Sequence, residues 1–398
     1  MTLLPVADAL ARVTAGAAPL PCERVPLAEA HRRVLCEDIA SLRTQPPEDV
    51  SAMDGYAVRA QDVAAIPAQL TVIGEVAAGR PFAGRVGPGQ AARIFTGGVI
   101  PQGADCIVVQ ESAERTGERV TVTAPAASGR HIRSAGLDFS AGDVLLQQGR
   151  RLSGRDLSLA AAMNHATLPV HRRPKIAMIA TGDELVMPGR EPGPGQIVYS
   201  NGYSIAALAA SEGAEVMDFG IVPDKLADTI AAIRKARAAP VDIILTVGGA
   251  SVGDYDLIQT ALASEGLALS FWKIAMRPGR PLTHGRLDAI HVLGLPGNPV
   301  SAYVCAVLFL VPLIRKLSGR ADFAPVPEQA RLGIALKAND ERADYLRATL
   351  SEGIATPFVL QDSSMNFLLA QADCLVIRPP FAPAAKAGDA CSILKLPF

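Results

Sequence analysis

Between residues 175 and 316 the chain alternates short apolar runs with helical patterns, and no other feature constrains its fold as tightly. Strands are expected at 176–180, 216–221, 242–247 and 289–293, and helices at 203–211, 224–236 and 300–316. Such alternation implies a doubly wound, mostly parallel α/β sheet. Ligands on these sheets bind beyond the carboxyl ends of the strands. The chain's most informative short motifs fall there: Thr181-Gly-Asp-Glu184, the stretch from Gly248 to Asp256, and Pro296-Gly-Asn-Pro299.

The flanking regions differ in character. Residues 1–45 read as helical, with Val6, Leu10 and Val13 on one face and a second segment at 27–39. Arg43-Thr-Gln-Pro-Pro47 then breaks the pattern. Residues 48–142 carry short β-type runs (70–73, 92–95, 106–109, 119–123) between Gly and Pro turns, the pattern of a small all-β module. Residues 143–171 return to mixed structure. Residues 321–398 hold short apolar runs without helical period, which predicts a β-barrel or sandwich.

Composition excludes several roles. The 38 basic and 39 acidic residues leave a net charge of −1, so no bulk field points to nucleic acid or an anionic membrane. Any anion site must be a local concentration of Arg and Lys. The N-terminus has neither a basic region nor a long apolar stretch, which speaks against a signal peptide. The longest apolar run, 300–314, is shorter than the ~20 residues a membrane span needs, and Pro312 interrupts it. A buried helix is the expectation. Cys22, Cys36, Cys106, Cys305, Cys374 and Cys391 match no zinc spacing and read as reduced core residues of a cytoplasmic protein.

Three constellations carry chemistry. In Thr246-Val-Gly-Gly-Ala-Ser-Val-Gly-Asp-Tyr-Asp256, Gly248, Gly249 and Gly253 let backbone amides approach a phosphate closely. Asp254 and Asp256 add carboxylates suited to an accompanying magnesium. A glycine-rich turn without ligand fits the same residues. Asp183, Glu184 and Asp224 follow other strands and converge on one rim if those strands share a sheet. As single residues, Asp224 reads equally as a helix cap and Asp183 as a turn former. A basic loop, Trp272 to Pro281, holds Lys273, Arg277 and Arg280 around Pro278 and Gly279. Fixed cations with forked donors suit an oxoanion, although a solvated basic turn is the commoner fate of such charges. In Pro296-Gly-Asn-Pro-Val-Ser301, a helix N-terminus is placed to face the same anion. Ser51-Ala-Met-Asp-Gly-Tyr-Ala57 by itself is only a turn.

Together these motifs resemble the molybdopterin molybdenumtransferase family, which includes the E domain of gephyrin. The resemblance spans essentially the whole chain. It rests on Ser51-Ala-Met-Asp-Gly-Tyr-Ala-Val58, Arg93-Ile-Phe-Thr-Gly97, Ile132-Arg133 with Gly136-Leu-Asp138, Thr181-Gly-Asp-Glu-Leu185, Gly248 to Gly253 with Asp256, Arg277-Pro-Gly-Arg-Pro281 and Pro296-Gly-Asn-Pro-Val-Ser301. It implies four domains: an elongated connecting domain (1–47 with 143–171, containing the N-terminal helices), an inserted β module (48–142), an α/β molybdopterin-binding domain (172–320) and a C-terminal β-barrel-like domain (321–398).

The implied reaction consumes adenylylated molybdopterin and molybdate. The adenylate is hydrolysed with Mg2+, AMP leaves, and the dithiolene captures molybdenum. The implied assembly is a homodimer whose site joins the α/β domain of one subunit to the β module of the other. Transient contact with a molybdopterin adenylyltransferase and with molybdoenzyme chaperones is expected, with neither nucleic acid nor membrane as partner.

Carried over residue by residue, Asp54, Thr96, Glu184 and Asp256 are the catalytic candidates, and Asp54, Glu184 and Asp224 the metal ligands. Asp224, Gly248, Gly249, Ser251, Gly253, Lys273, Asn298, Arg133 and Asp138 would bind or orient the pterin substrate. Arg277, Arg280, Pro281, Ser301, Arg347 and Ser363 would form the molybdate pocket. The chain departs from many members in having Arg rather than Lys at 277 and 280, and in placing Leu368 where a second serine is usual. Two other readings use the same motifs. One is adenylyl transfer to molybdopterin, which needs only the α/β domain. The other is a non-catalytic pterin-binding or scaffolding paralogue.

Overall fold

A computed structural model describes residues 3–248 and 257–397. Its central sheet has six strands in the order Glu215–Val222, Lys175–Thr181, Ile243–Val247, Ile290–Leu295, Thr283–Leu287 and Ala268–Phe271. The first four are parallel, and the last two join through antiparallel pairings. The parallel strands are where the apolar runs placed them. The two antiparallel strands were not anticipated, because His284, Gly285 and Arg286 interrupt the apolar pattern there.

Alternation along Lys175–Thr181 explains why the sheet is covered on both sides. Ile176 and Met178 pack with helix Asn201–Ser211 and with the 299–317 helical segment, while Ala177 and Ile179 pack with helices Leu226–Ala238 and Leu257–Ser264.

The long apolar helix is Pro299–Leu317, and 83% of its most apolar window is buried inside the fold, so it is a core helix. Pro312 does not end it. A π-helical turn, Ala306–Leu310, stands just before the proline and accommodates its missing N–H and the ring's bulk against the preceding carbonyls.

The N-terminal expectation needs two corrections. Helix Val6–Thr14 forms, but Ala9 and Val13 pack against Ile274, Val307 and Leu308 of the α/β unit and not within the connecting domain. Segment 27–39 is not a helix. It holds only a short 3-10 turn, Leu27–Glu29, and passes through a left-handed Arg32 (φ 62°) before reaching strand Ile39–Ala40. Ala30, Leu35 and Ile39 fill a core between strands Cys22–Pro26 and Thr167–His171 and helix Gly154–Ala162. That helix begins with a reciprocal cap between Ser153 and Asp156.

Cys22 and Cys36 form a disulfide, which corrects the reading of all six cysteines as reduced; Cys106, Cys305, Cys374 and Cys391 are free and buried. The pairing is possible because the extended path of residues 34–36 bridges to Val170 of strand Thr167–His171, on which Cys22 also pairs, bringing the two Cα atoms to 6.1 Å.

The remaining units are β-structures. One sheet orders Cys106–Val109, Gly55–Val58, Gln90–Ile94, Ala68–Val76, Arg119–Val122 and Ala113–Thr116 around Tyr56, Val58, Val108 and Val120. The C-terminal strands Ala343–Ser351, Ile354–Pro357, Glu328–Leu332, Ala390–Lys395 and Cys374–Arg378 close into a ring, since the last pairs back with the first. Met276–Arg277 adds to this barrel through Ala343 and Asp344, stitching the basic loop of the α/β unit to it.

Candidate functional site

Two glycines shape the carboxyl edge of the central sheet. Gly248 ends its strand at φ 94°, and a Cβ there would lie 2.5 Å from the Thr181 carbonyl oxygen of the neighbouring strand. Gly182 turns away at φ 147°, where a Cβ would meet the Glu184 carboxylate at 2.6 Å. Only a residue without a side chain permits either approach. Beyond these turns lies a cleft of about 590 Å3, lined among others by Thr181, Glu184, Gly248, Pro281, Asn298 and Ser301. Its floor is polar: Thr181 Oγ1 is buried there without a hydrogen-bond partner among the described residues.

Docking of the C-terminal domain closes one wall. Asn298 Nδ2 donates to Ser363 Oγ (2.9 Å), and Val300 N donates to the Ser363 carbonyl (3.0 Å). Across the cleft, Asn201 Nδ2 donates to the Gly297 carbonyl (2.6 Å) and Asn366 Nδ2 to Ser200 Oγ (3.2 Å). Asn201, Ser200, Ser364 and Asn366 line this cleft and were missed in the sequence, where isolated Ser and Asn residues look like ordinary helix-start chemistry. Leu368 is not among the lining residues; Ser364 and Asn366 supply the polar groups on that wall.

The acids divide into two groups. Glu184 lines the cleft, and its carboxylate takes no hydrogen bond from the described residues. Asp183 Oδ1 accepts from Asp224 N (3.0 Å), so two strand-end loops are tied together; Asp224 itself does not line the cleft. Asp54 stands elsewhere, on the β module. Ser51 Oγ donates to the Met53 carbonyl (2.6 Å), holding the turn that presents Asp54. Asp54 Oδ1 accepts from both N and Oγ1 of Thr96, each at 2.8 Å. The Thr96 backbone bond, then its hydroxyl, hold the Asp54 carboxyl below its ordinary range, with a smaller contribution from the Arg93 charge.

Arg133 lies on a short strand paired with Val50–Ser51, beside this turn. Asp138 sits in the following loop, where its backbone N donates to the Gln45 carbonyl (3.0 Å).

Within one chain no residue before Thr181 lines the cleft, so Asp54 and Thr96 come together with each other but not with Glu184. Among the described residues no three carboxylate, imidazole or thiolate groups gather to hold a metal, so one chain by itself does not bring Asp54, Glu184 and Asp224 together. The physical reason is that these acids belong to separate domains or to separate edges of the cleft. A lone unpartnered carboxylate at its wall still fits magnesium, which takes one or two carboxylates and fills its octahedron with phosphate oxygens and water. Gly249, Ser251, Gly253, Asp254 and Asp256 lie outside the described residues.

The basic residues also diverge from expectation. Arg277 is bound in a fork to Asp344 (Nε to Oδ1 2.9 Å, Nη2 to Oδ2 2.5 Å) and lies 3.5 Å from Asp340. Its charge is therefore already matched at the barrel seam. Arg347, 1% exposed, gives Nη1 to the Met365 carbonyl (3.1 Å) and Nη2 to the Asp362 carbonyl (2.8 Å). It holds the loop that carries Ser363 from beneath. Arg280 is exposed, with no ion pair or side-chain hydrogen bond among the described residues. Lys273 places its Nζ 3.6 Å from the Trp272 ring centroid, and Ser301 is buried in the cleft wall beside Pro281.

Comparison with known proteins agrees across the chain. Family models match residues 4–164 (MoeA N-terminal region, domains I and II), 177–316 (probable molybdopterin binding domain) and 329–396 (MoeA C-terminal region, domain IV). A molybdopterin molybdenumtransferase of a Nostoc species is 38% identical over 94% of this chain and 89% of its own length. That of Bacillus subtilis is 33% identical over 99% and 94%. The crystal structure of a molybdopterin biosynthesis MoeA protein from Pyrococcus horikoshii superposes with a TM-score of 0.86 at 31% identity, covering 99% of each chain.

Proposed function

The chain belongs to the molybdopterin molybdenumtransferase family, and from that premise we propose how its residues insert molybdenum into molybdopterin. The substrate is the adenylylated pterin. It occupies the cleft at the carboxyl edge of the sheet, with its phosphate near the Gly248 and Gly182 turns and its dithiolene toward the basic loop. The unpaired Thr181 hydroxyl on the cleft floor is the observation that carries this reading, because a buried polar atom without a partner is costly unless a ligand supplies one. Molybdate, a tetrahedral dianion, is drawn to Arg280, an exposed cation of the basic loop with no ion pair among the described residues. Arg277 and Arg347 shape that pocket by fixing its walls.

Glu184 together with Asp54 of a second subunit would hold the magnesium, which supplies neutralisation of phosphate charge during attack by water. Asp54 suits that role better than proton abstraction, since its depressed pKa makes it a weak base. Water adds at phosphorus, the bond to the pterin side breaks, and AMP leaves. This reading requires a homodimer, because the two acidic clusters lie in different parts of one chain.

The test mixes inactive subunits. Asp54→Ala and Glu184→Ala proteins are each expected to lose molybdate-dependent AMP release from adenylylated molybdopterin. Denatured and refolded together, they should recover about one quarter of wild-type activity, because half the dimers are mixed and each mixed dimer has one intact site. No recovery, with dimers formed, rejects the shared site. Wild-type protein that binds the nucleotide without releasing AMP rejects the catalytic role and favours a scaffolding paralogue.

A further inference from the structure

A second concentration of positive charge lies far along the sheet from the cleft, where the connecting domain meets the α/β unit. Glu212, 6% exposed, is gripped by Arg315 in a fork (2.9 and 2.7 Å) and by Arg320 (2.9 Å), while Arg320 also forks to Asp322. Arg33 is matched by Glu23, and Arg172 by Asp242 (2.8 and 2.6 Å). Among the described residues, those pairings use up every carboxylate in ion-pair contact with the cluster.

Three guanidiniums remain in excess. Arg173 Nη1 reaches only the Gly213 carbonyl, at 3.3 Å. Arg151 is 3.9 Å from the already matched Glu212; its Nη2 donates to the Ser211 carbonyl (2.5 Å), and its buried Nε has no partner among the described residues. Arg32 is exposed, on a left-handed backbone, and its guanidinium has no hydrogen bond or ion pair among the described residues. Burial together with neighbouring arginines disfavours the charged forms of both Arg151 and Arg173.

Arg32, Arg33, Arg172 and Arg173 line a small recess at this junction, with Glu212 and Gly213. Its free space is about 10 Å3, room for a single water-sized atom. One oxygen of a tetrahedral anion fits inside while the others stay at the mouth beside the exposed Arg32.

We propose that this recess is a binding site for a small inorganic oxyanion of the phosphate or sulfate type, which joins Arg32 of the connecting domain to Arg173 of the α/β unit. Forked guanidinium donors are the groups best matched to such an anion. Binding relieves repulsion that the free protein otherwise carries, so the anion clamps two domains whose relative placement sets where the β module lies.

The experiment is titration of the full-length protein with inorganic phosphate at fixed ionic strength, by calorimetry and by thermal melting. One saturable site per chain is expected, with sulfate competing. Arg32→Gln and Arg173→Gln should each weaken phosphate at least tenfold, while Arg280→Gln in the cleft leaves this affinity unchanged. Both substitutions should also raise the melting midpoint in phosphate-free chloride buffer, because they remove unmatched charge. Absence of saturable binding overturns the proposal. So does binding lost in Arg280→Gln and kept in Arg32→Gln, which would locate the anion in the cleft. A lowered midpoint for both variants without phosphate would overturn the charge argument, since it would mean that these arginines are structural.

Discussion

Replacing Arg347 with Met separates a ligand from a residue that positions one. The guanidinium makes two short bonds to the loop, to the Asp362 and Met365 carbonyls, and a long one of 3.4 Å to Leu360. A hydrogen bond with a charged partner contributes about 1.5–3 kcal/mol, and the loop carbonyls regain some water when released, so the two short bonds together contribute about 2–4 kcal/mol. Gln361 still anchors the loop base, because its side chain accepts from Arg347 N and donates to Arg347 O, groups that the substitution leaves in place.

The tip that carries Ser363 is what comes free in Arg347→Met, and with it the Asn298–Ser363 bond at the cleft wall. Chymotrypsin should cut faster at Phe367 or Leu360, the melting midpoint of the C-terminal domain should fall, and half-saturating molybdate should rise without loss of the maximal rate. Arg347→Lys should fail in the same direction, since an ammonium cannot fork between two carbonyls. An Arg347→Met protein with wild-type protease resistance and stability but no molybdate dependence would refute this reasoning and make Arg347 a direct ligand.

Other perturbations test other links. Asp54 is ionised above its depressed pKa and loses charge only as pH falls through it, so Thr96→Val, which removes the hydroxyl donor, should move the acid limb of the pH–rate profile upward; an unmoved limb separates Asp54 from turnover. Burial holds His284 and His291 down to about 4 and about 3, so the unfolded chain binds more protons below pH 6.5 and stability should fall from there toward pH 4. His284→Asn with His291→Asn should flatten that slope, and an unchanged slope would remove the pair as its source. Gly248→Ala forces a left-handed alanine against the Thr181 carbonyl, costing about 2 kcal/mol or more. Its midpoint should drop by at least about 4 °C, whereas a wild-type midpoint would mean that the turn can rearrange.

Most of the fold was legible because its signals are local. Runs such as Ile243–Val247 are fully buried on both faces of a parallel sheet, and their composition says so without knowledge of any neighbour. The failures are non-local. The apolar residues of segment 27–39 do not by themselves tell a helix from extended chain folded over a core, because burial depends on strands contributed from as far away as Thr167–His171. The Cys22–Cys36 pairing depends on the same misread path.

At the site the division is sharper still. A motif identifies which residue types are present, but charge compensation decides which of them remain available, and compensation is a long-range property. Arg277 and Arg280 lie three positions apart in one loop and read alike in sequence. In the folded chain Asp344, 67 positions from Arg277, accepts its whole fork, while Arg280 keeps an unmatched charge. If that asymmetry governs oxyanion capture, Arg280→Gln should raise half-saturating molybdate far more than Asp344→Asn, which leaves the Arg277 charge in place and loosens its tether. Comparable losses in the two variants would show that Arg277 leaves its partner during turnover, and that the pocket is assembled by the substrate.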